Sequence, residues 1–117
     1  MGMDSKQVYM RFLSILHAIE GREDVPPMDL DAKKLLEVIA VRYEHKQPLT
    51  VTEAMALAHI ASPATIHRKL DQLREMGMVT STFDGNNRRT KYLVPTDAAH
   101  SYFASVGQAM TEALNNA

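Results

Sequence analysis

Apolar residues recur along this chain at helical spacing, then at strand spacing, then at helical spacing again. Val8, Phe12, Ile15, Leu16 and Ile19 stand three and four apart, with Tyr9 and Leu13 widening the stripe. That pattern predicts a helix to about Glu20, capped by Asp4 or Ser5. Gly21 to Met28 contains Pro26-Pro27 and several acids, and reads as a linker. Leu35, Leu36, Ile39 and Tyr43 form the inward stripe of a second helix, capped by Asp29 or Asp31, running to about Lys46 and stopped by Pro48. Thr50 and Glu53 have the spacing of a capping box, Thr50 bonding forward and Glu53 reaching back. They open a short helix to about His59 in which Met55 faces inward and Ala54, Ala56 and Ala58 allow another helix to cross closely.

The next stretch is the most informative. Ser62 suits an N-cap, and Pro63 suits the first helical position, where its missing N–H costs nothing. Ile66, Leu70 and Leu73 lie on one buried stripe, and Gly77 stands where a helix needs a left-handed residue beyond its end. The opposite face carries Ala64, Thr65, His67, Arg68 and Asp71, small, polar or basic side chains fit to enter a groove and meet base edges and phosphates. The turn from His59 to Ser62 has helix-turn-helix length. Two strand-like runs follow, Met78 to Phe83 and Thr90 to Val94, joined by Asp84-Gly85-Asn86-Asn87-Arg88-Arg89. A hairpin with a basic tip directly after such a helix is a wing, and Leu49-Thr50 is placed to add a third strand to it. Thr96 then caps a last helix to about Leu114, with Ala99, Tyr102, Phe103, Val106, Met110 and Leu114 as an apolar seam. Met1–Met3 and the last residues, Asn115–Ala117, are expected to be loose.

The predicted fold is therefore mainly α (α+β), a winged helix-turn-helix with a three-helix core and a β-hairpin wing, plus N- and C-terminal helices. It is read as one domain over 1–117, with the first helix at 5–20, the winged core at 29–96 and the last helix at 97–115. Both outer helices are apolar on a wide face. Since the winged core closes on itself, they read as additions to it, packed either within one subunit or together as a two-fold bundle between two.

Composition changes this picture little. At 117 residues, 45% apolar and 23% charged, usage is ordinary for a globular chain. There are no cysteines, which removes disulfides, thiolate metal sites and cysteine nucleophiles together. No apolar run approaches the roughly 20 residues of a membrane span, and no signal peptide is visible, so a cytoplasmic protein without membrane association is expected. Charge is more telling. The chain as a whole carries −1, but from Ser62 to Tyr92 six cations stand against three acids, a net +3, while the remainder has seven against eleven. Cations concentrated on the proposed reading surface are the footprint of phosphate contact.

Enzymatic chemistry finds no support. The five histidines, His17, His45, His59, His67 and His100, form no i, i+3 or i, i+4 pair for a metal. No serine sits in a strand-to-helix elbow, Glu23-Asp24 lies in the linker, and Asp84-Gly85-Asn86 precedes no helix and so is no phosphate cradle. Neither metal nor cofactor is expected. The eight methionines, Met76 and Met78 among them, read as core filling.

Thr50 to Ala99 resembles the winged helix-turn-helix of MarR-type regulators. The resemblance lies in Ser62-Pro63-Ala64-Thr65-Ile66-His67-Arg68, in Leu73-Arg74-Glu75-Met76-Gly77-Met78-Val79, and in the wing with Pro95-Thr96. The sequence departs from the family's pattern at three positions. Asn87 stands two before Arg89, where an acid is usual, and Pro95 and Ala99 replace a leucine and a glycine. The resemblance implies a homodimeric, sequence-specific transcriptional regulator of double-stranded DNA. Its contacting residues would be Ser62, Ala64, Thr65, His67, Arg68 and Lys69 in the major groove, with Arg88, Arg89 and Lys91 on the backbone or in the minor groove. It also implies a hydrophobic effector pocket, for which Tyr9, Phe12, Tyr43 and Tyr102 are the candidate lining. The competing expectation is a winged-helix module that binds protein and not specific DNA.

Overall fold

The computed structural model describes residues 4–115. Residues 1–3 and 116–117, expected to be loose, lie outside them, whereas Asn115, expected to be loose as well, is the last residue of a helix. The elements in chain order are α1 (Ser5–Glu20), α2 (Leu30–Glu44), α3 (Val51–Met55), α4 (Pro63–Glu75), β1 (Val79–Asp84), β2 (Asn87–Pro95) and α5 (Asp97–Asn115). This is the winged helix-turn-helix order, with one helix added before it and one after. Two compact units result: Met28–Ala99 forms one, and α1 with the segment to Pro27 and α5 from His100 forms the other.

In the Met28–Ala99 unit, α2 packs on α4 and β2, and α3 packs on α4 and β2. Leu35, Leu36, Ile39, Ile66, Leu70, Leu73 and Leu93 are fully buried there. Removing such side chains from water contributes about 1.5–3 kcal/mol each, which is the main force closing the unit. The caps behave as their side-chain chemistry dictates. Asp29 accepts the Ala32 N–H at 2.9 Å, and Thr50 and Glu53 exchange both bonds of their capping box at 3.2 and 3.0 Å. Ser62 accepts the Thr65 N–H at 3.3 Å. Thr96 accepts the Ala99 N–H at 3.2 Å while donating to the Gly77 carbonyl at 2.6 Å, so one hydroxyl starts α5 and ties it to the end of α4.

Helix α4 ends in a Schellman motif. The Gly77 N–H bonds to the Arg74 carbonyl, the Met78 N–H bonds to the Leu73 carbonyl, and Gly77 takes φ +74°. Helix α2 ends the same way with a residue poorly suited to it. Lys46 takes φ 60°, and Gln47 N–H returns to the Arg42 carbonyl. The helix therefore stops at Glu44 rather than running to Lys46.

Other expectations shift in detail. Helix α3 ends at Met55, and hydrogen-bonded turns carry the chain on from Ala56 to Ile60. Ala54 is its fully buried residue, and Met55 is only half-buried. The third wing strand reduces to one hydrogen bond, from Leu93 N–H to the Leu49 carbonyl at 2.7 Å, because Thr50 is already committed as a cap. Tyr43, read as inward, is 42% exposed: it lies in the last turn of α2, beyond the reach of the core. The wing turn is only Gly85-Asn86, with Asn87 to Arg89 already belonging to β2.

In the other unit, α1 starts from a capping box that the apolar pattern does not reveal, Asp4 with Gln7. Ile19, Val25, Tyr102, Ala109 and Ala113 are its buried residues. The buried seam of α5 thus runs through small alanines. Met110 and Leu114, expected in that seam, are 58% and 63% exposed. Tyr9 and Met10 on α1 are exposed as well. A cavity of about 500 Å3 in this unit is lined by Val8, Tyr9, Phe12, Met110, Ala113 and Leu114. No helix among the described residues is long and apolar enough to cross a membrane.

A candidate nucleic-acid interface

Helix α4 divides cleanly by solvent contact. Ile66, Leu70 and Leu73 are buried, while Ser62, Pro63, Ala64, His67, Arg68, Asp71, Arg74 and Glu75 are exposed. The helix has the right polarity to present its exposed face to a polyanion, because its N-terminus carries the positive end of the backbone dipole and holds no acid in its first turn.

The side chains on that face are partly ordered by one another. Asp71 sits 3.4 Å from His67 Nδ1, one turn back, and 3.7 Å from Arg74 Nη1 on its other side. Arg74 also donates to the Ser81 hydroxyl on β1 at 3.2 Å, joining the helix to the wing. At Ser62 the hydroxyl caps the helix and donates to Thr65 Oγ1 at 3.1 Å. Thr65 itself is half-buried and Ala64 exposed.

Lys69 is placed differently from its neighbours. Its ammonium is in direct ion-pair contact with Asp29 Oδ2, and its side chain is only 15% exposed. The Lys69 hydrogen bond, then the Ala32 N–H, hold the Asp29 carboxyl below its ordinary value. Lys69 thus ties α4 to the start of α2 and is not a free cation of the reading face. Arg68, its neighbour, is exposed.

The wing supplies three more cations. Arg88, Arg89 and Lys91 are exposed and line one cleft with Phe83, Thr90 and the segment Thr50-Val51-Thr52. Asn87 Oδ1 accepts the Arg89 backbone N–H at 3.0 Å, so the amide at the departing position still fastens the backbone beside the arginine. Arg88 and Lys91 lie over the ring of Phe83. The sequence pattern does not single out Phe83 or Arg74 as functional. An aromatic two residues before the turn, followed by a run of cations, is the available signal for the first.

The candidate effector lining does not come together in one place. Tyr9 and Phe12 line the 500 Å3 cavity. Tyr43 lines a different cleft in the Met28–Ala99 unit, and Tyr102 is buried. Among the described residues no three His, Asp or Glu side chains are grouped so as to hold a metal ion.

No protein-family model matches the sequence, and no curated protein sequence matches it. Solved structures do match. A MarR-like transcriptional regulator from Thermotoga maritima superposes with a TM-score of 0.63 at 16% identity, over 97% of this chain and 80% of that one. A second Thermotoga maritima transcriptional regulator gives 0.56 at 16% identity over 90% of this chain, which spans about two thirds (66%) of its length. Staphylococcus aureus MarR, in a complex with salicylate and kanamycin, gives 0.56 at 18% identity over 92% of this chain and 67% of that one. The fold is thus a MarR-like winged helix-turn-helix.

Proposed function

We propose that the chain is a sequence-specific DNA-binding transcriptional regulator acting as a homodimer. One observation carries the reading: Arg68 on the outer face of α4 and Arg88, Arg89 and Lys91 on the wing are all exposed cations of one compact winged unit. Helix α4 would lie in the major groove with Thr65, His67 and Arg68 nearest base edges. Ser62 and Ala64 would lie against the backbone and groove wall, and the wing would follow the backbone or enter the minor groove. Lys69, bound to Asp29, holds the helix in place and makes no base contact in this reading.

Dimerisation is supported by the apolar side chains that α1 and α5 leave in water, Tyr9, Met10, Met110 and Leu114. A two-fold pair would read half-sites about 34–36 Å apart. The structurally similar Staphylococcus protein was solved with salicylate. A small aromatic effector in the cavity lined by Val8, Tyr9 and Phe12 is the corresponding ligand here, with salicylate as the probe for calorimetry.

The deciding experiment selects bound sequences from a randomised duplex pool, followed by a salt titration of the winner. A pseudo-palindrome is expected. Arg89→Ala should reduce the slope of log K against log salt by about one unit for each phosphate that Arg89 neutralises. An unchanged slope removes the wing from the mechanism. Binding weaker than about 10⁻⁴ M to any duplex at low salt would favour a module that binds protein.

A further inference from the structure

The pairing of the wing strands breaks at one point. Val79 to Phe83 pair with Pro95 to Lys91 in continuous antiparallel register, but Asp84 then pairs with Asn87. Arg88, Arg89 and Thr90 therefore stand opposite no residue of β1. Side chains of a regular strand alternate between faces, so residues 88 and 91, three apart, would leave on opposite sides. Here they meet. The Arg88 guanidinium carbon lies 5.6 Å and Lys91 Nζ 5.5 Å from the centroid of the Phe83 ring. The irregularity re-aims two cations onto one aromatic, which is the kind of use to which strand bulges are put.

Phe83 is not part of the closed core. It is half-buried at the far end of the hairpin, beyond the fully buried Leu93 and the nearly buried Val79. The geometry points to Phe83 as a positioning residue, whose ring gathers Arg88 and Lys91 into one preset pair for the phosphates of a nucleic-acid duplex. The choice of partner rests on the function proposed above; the gathering itself does not. Long cationic side chains lose rotamer freedom when fixed on a phosphate, and a ring that already restricts them removes part of that loss. Each exposed cation–π contact shifts the balance between held and free side chain by about two- to five-fold. Arg89, with its backbone amide fastened by Asn87, is the separate third cation of the same cleft.

The test uses the full chain with Phe83→Leu, which keeps an apolar side chain but has no ring, and Phe83→Tyr, which keeps the ring. Without DNA, the NMR signals of the Arg88 δ and Lys91 ε protons should be ring-shifted upfield in the wild type and in Phe83→Tyr, and should return to ordinary positions in Phe83→Leu. Unshifted signals in the wild type overturn the proposal. With a selected duplex, Phe83→Leu should weaken binding about two- to five-fold for each cation engaged, and Phe83→Tyr should retain binding. The weakening should vanish in an Arg88→Ala/Lys91→Ala background. An equal weakening in that background would mean that Phe83 acts only by holding the wing together, which also overturns it. Should the wild type bind no duplex, the regulator reading fails, while the ring shifts still decide the role of Phe83.

Discussion

Two glycines offer the same substitution with opposite expected signs. Gly77 follows α4 at φ +74°, and a Cβ built there meets nothing within 4 Å, so Gly77→Ala has no steric contact to relieve or suffer. What remains is backbone: the left-handed region costs an L-residue about 1–2 kcal/mol. The poorer unfolded ensemble of alanine offsets about 0.4–1 kcal/mol of this. The expected net loss is about 1 kcal/mol, or roughly 3–6 °C in Tm for a chain of this size. Gly107 lies within α5, exposed, again with nothing within 4 Å of a Cβ and without a positive φ. There alanine removes a helix-interior glycine, and Gly107→Ala should raise stability by about 0.5–1 kcal/mol. Thermal unfolding followed by circular dichroism, with all three proteins at one protomer concentration, makes the comparison. If Gly77→Ala melts with or above the wild type, the turn that aims the wing from the end of α4 does not depend on the left-handed residue, and the reasoning is wrong.

Three further outcomes are expected. Lys46→Gly should gain up to about 1 kcal/mol, because Lys46 closes α2 at φ 60°, the conformation glycine adopts freely; a denaturant midpoint below the wild type would contradict it. Leu70→Ala should cost about 2–5 kcal/mol, since Leu70 is fully buried in the α4 stripe, and urea unfolding measures it. Asp29→Asn keeps the Ala32 cap but removes the Lys69 ion pair. Because the Asp29 pKa is depressed below its ordinary 3.8 by that pair first, the pair's stability is fully present above that value and disappears as pH falls through the lower folded value. The wild type should therefore exceed Asp29→Asn by a fraction of a kcal/mol, as for a solvent-screened pair, at pH values above 3.8, and the gap should close as pH falls below it. A gap that widens on acidification would refute the assignment.

Local rules made much of this molecule readable. Ser62-Pro63 and Gly77 bound α4, Thr50 with Glu53 starts α3, Asp29 starts α2 and Thr96 starts α5, because a cap is a hydrogen bond between residues three apart and needs no distant partner. The stripe of Ile66, Leu70 and Leu73 was equally legible, since a repeat of three and four selects one helical face. The exposed cations of the wing followed from the same local logic.

What needed the folded chain were relations between residues far apart in sequence. Nothing near Lys69 announces that it pairs with Asp29, forty positions earlier, because an ion pair of that span exists only once α2 and α4 are packed. Of the expected α5 seam Ala99 and Tyr102 are buried, but Ala109 and Ala113 continue it in place of Met110 and Leu114, because packing chooses among adjacent apolar faces and small side chains allow the closer approach. Arg88 and Lys91 share the Phe83 ring only because three residues of β2 escape the pairing, which strand periodicity cannot foretell. Sequence by itself determined the elements, their caps and the sign of charge along them. The tertiary structure decided which cations are drawn onto distant partners, Lys69 onto Asp29 and Arg88 and Lys91 onto Phe83, since those pairings need packing energy that no single element possesses.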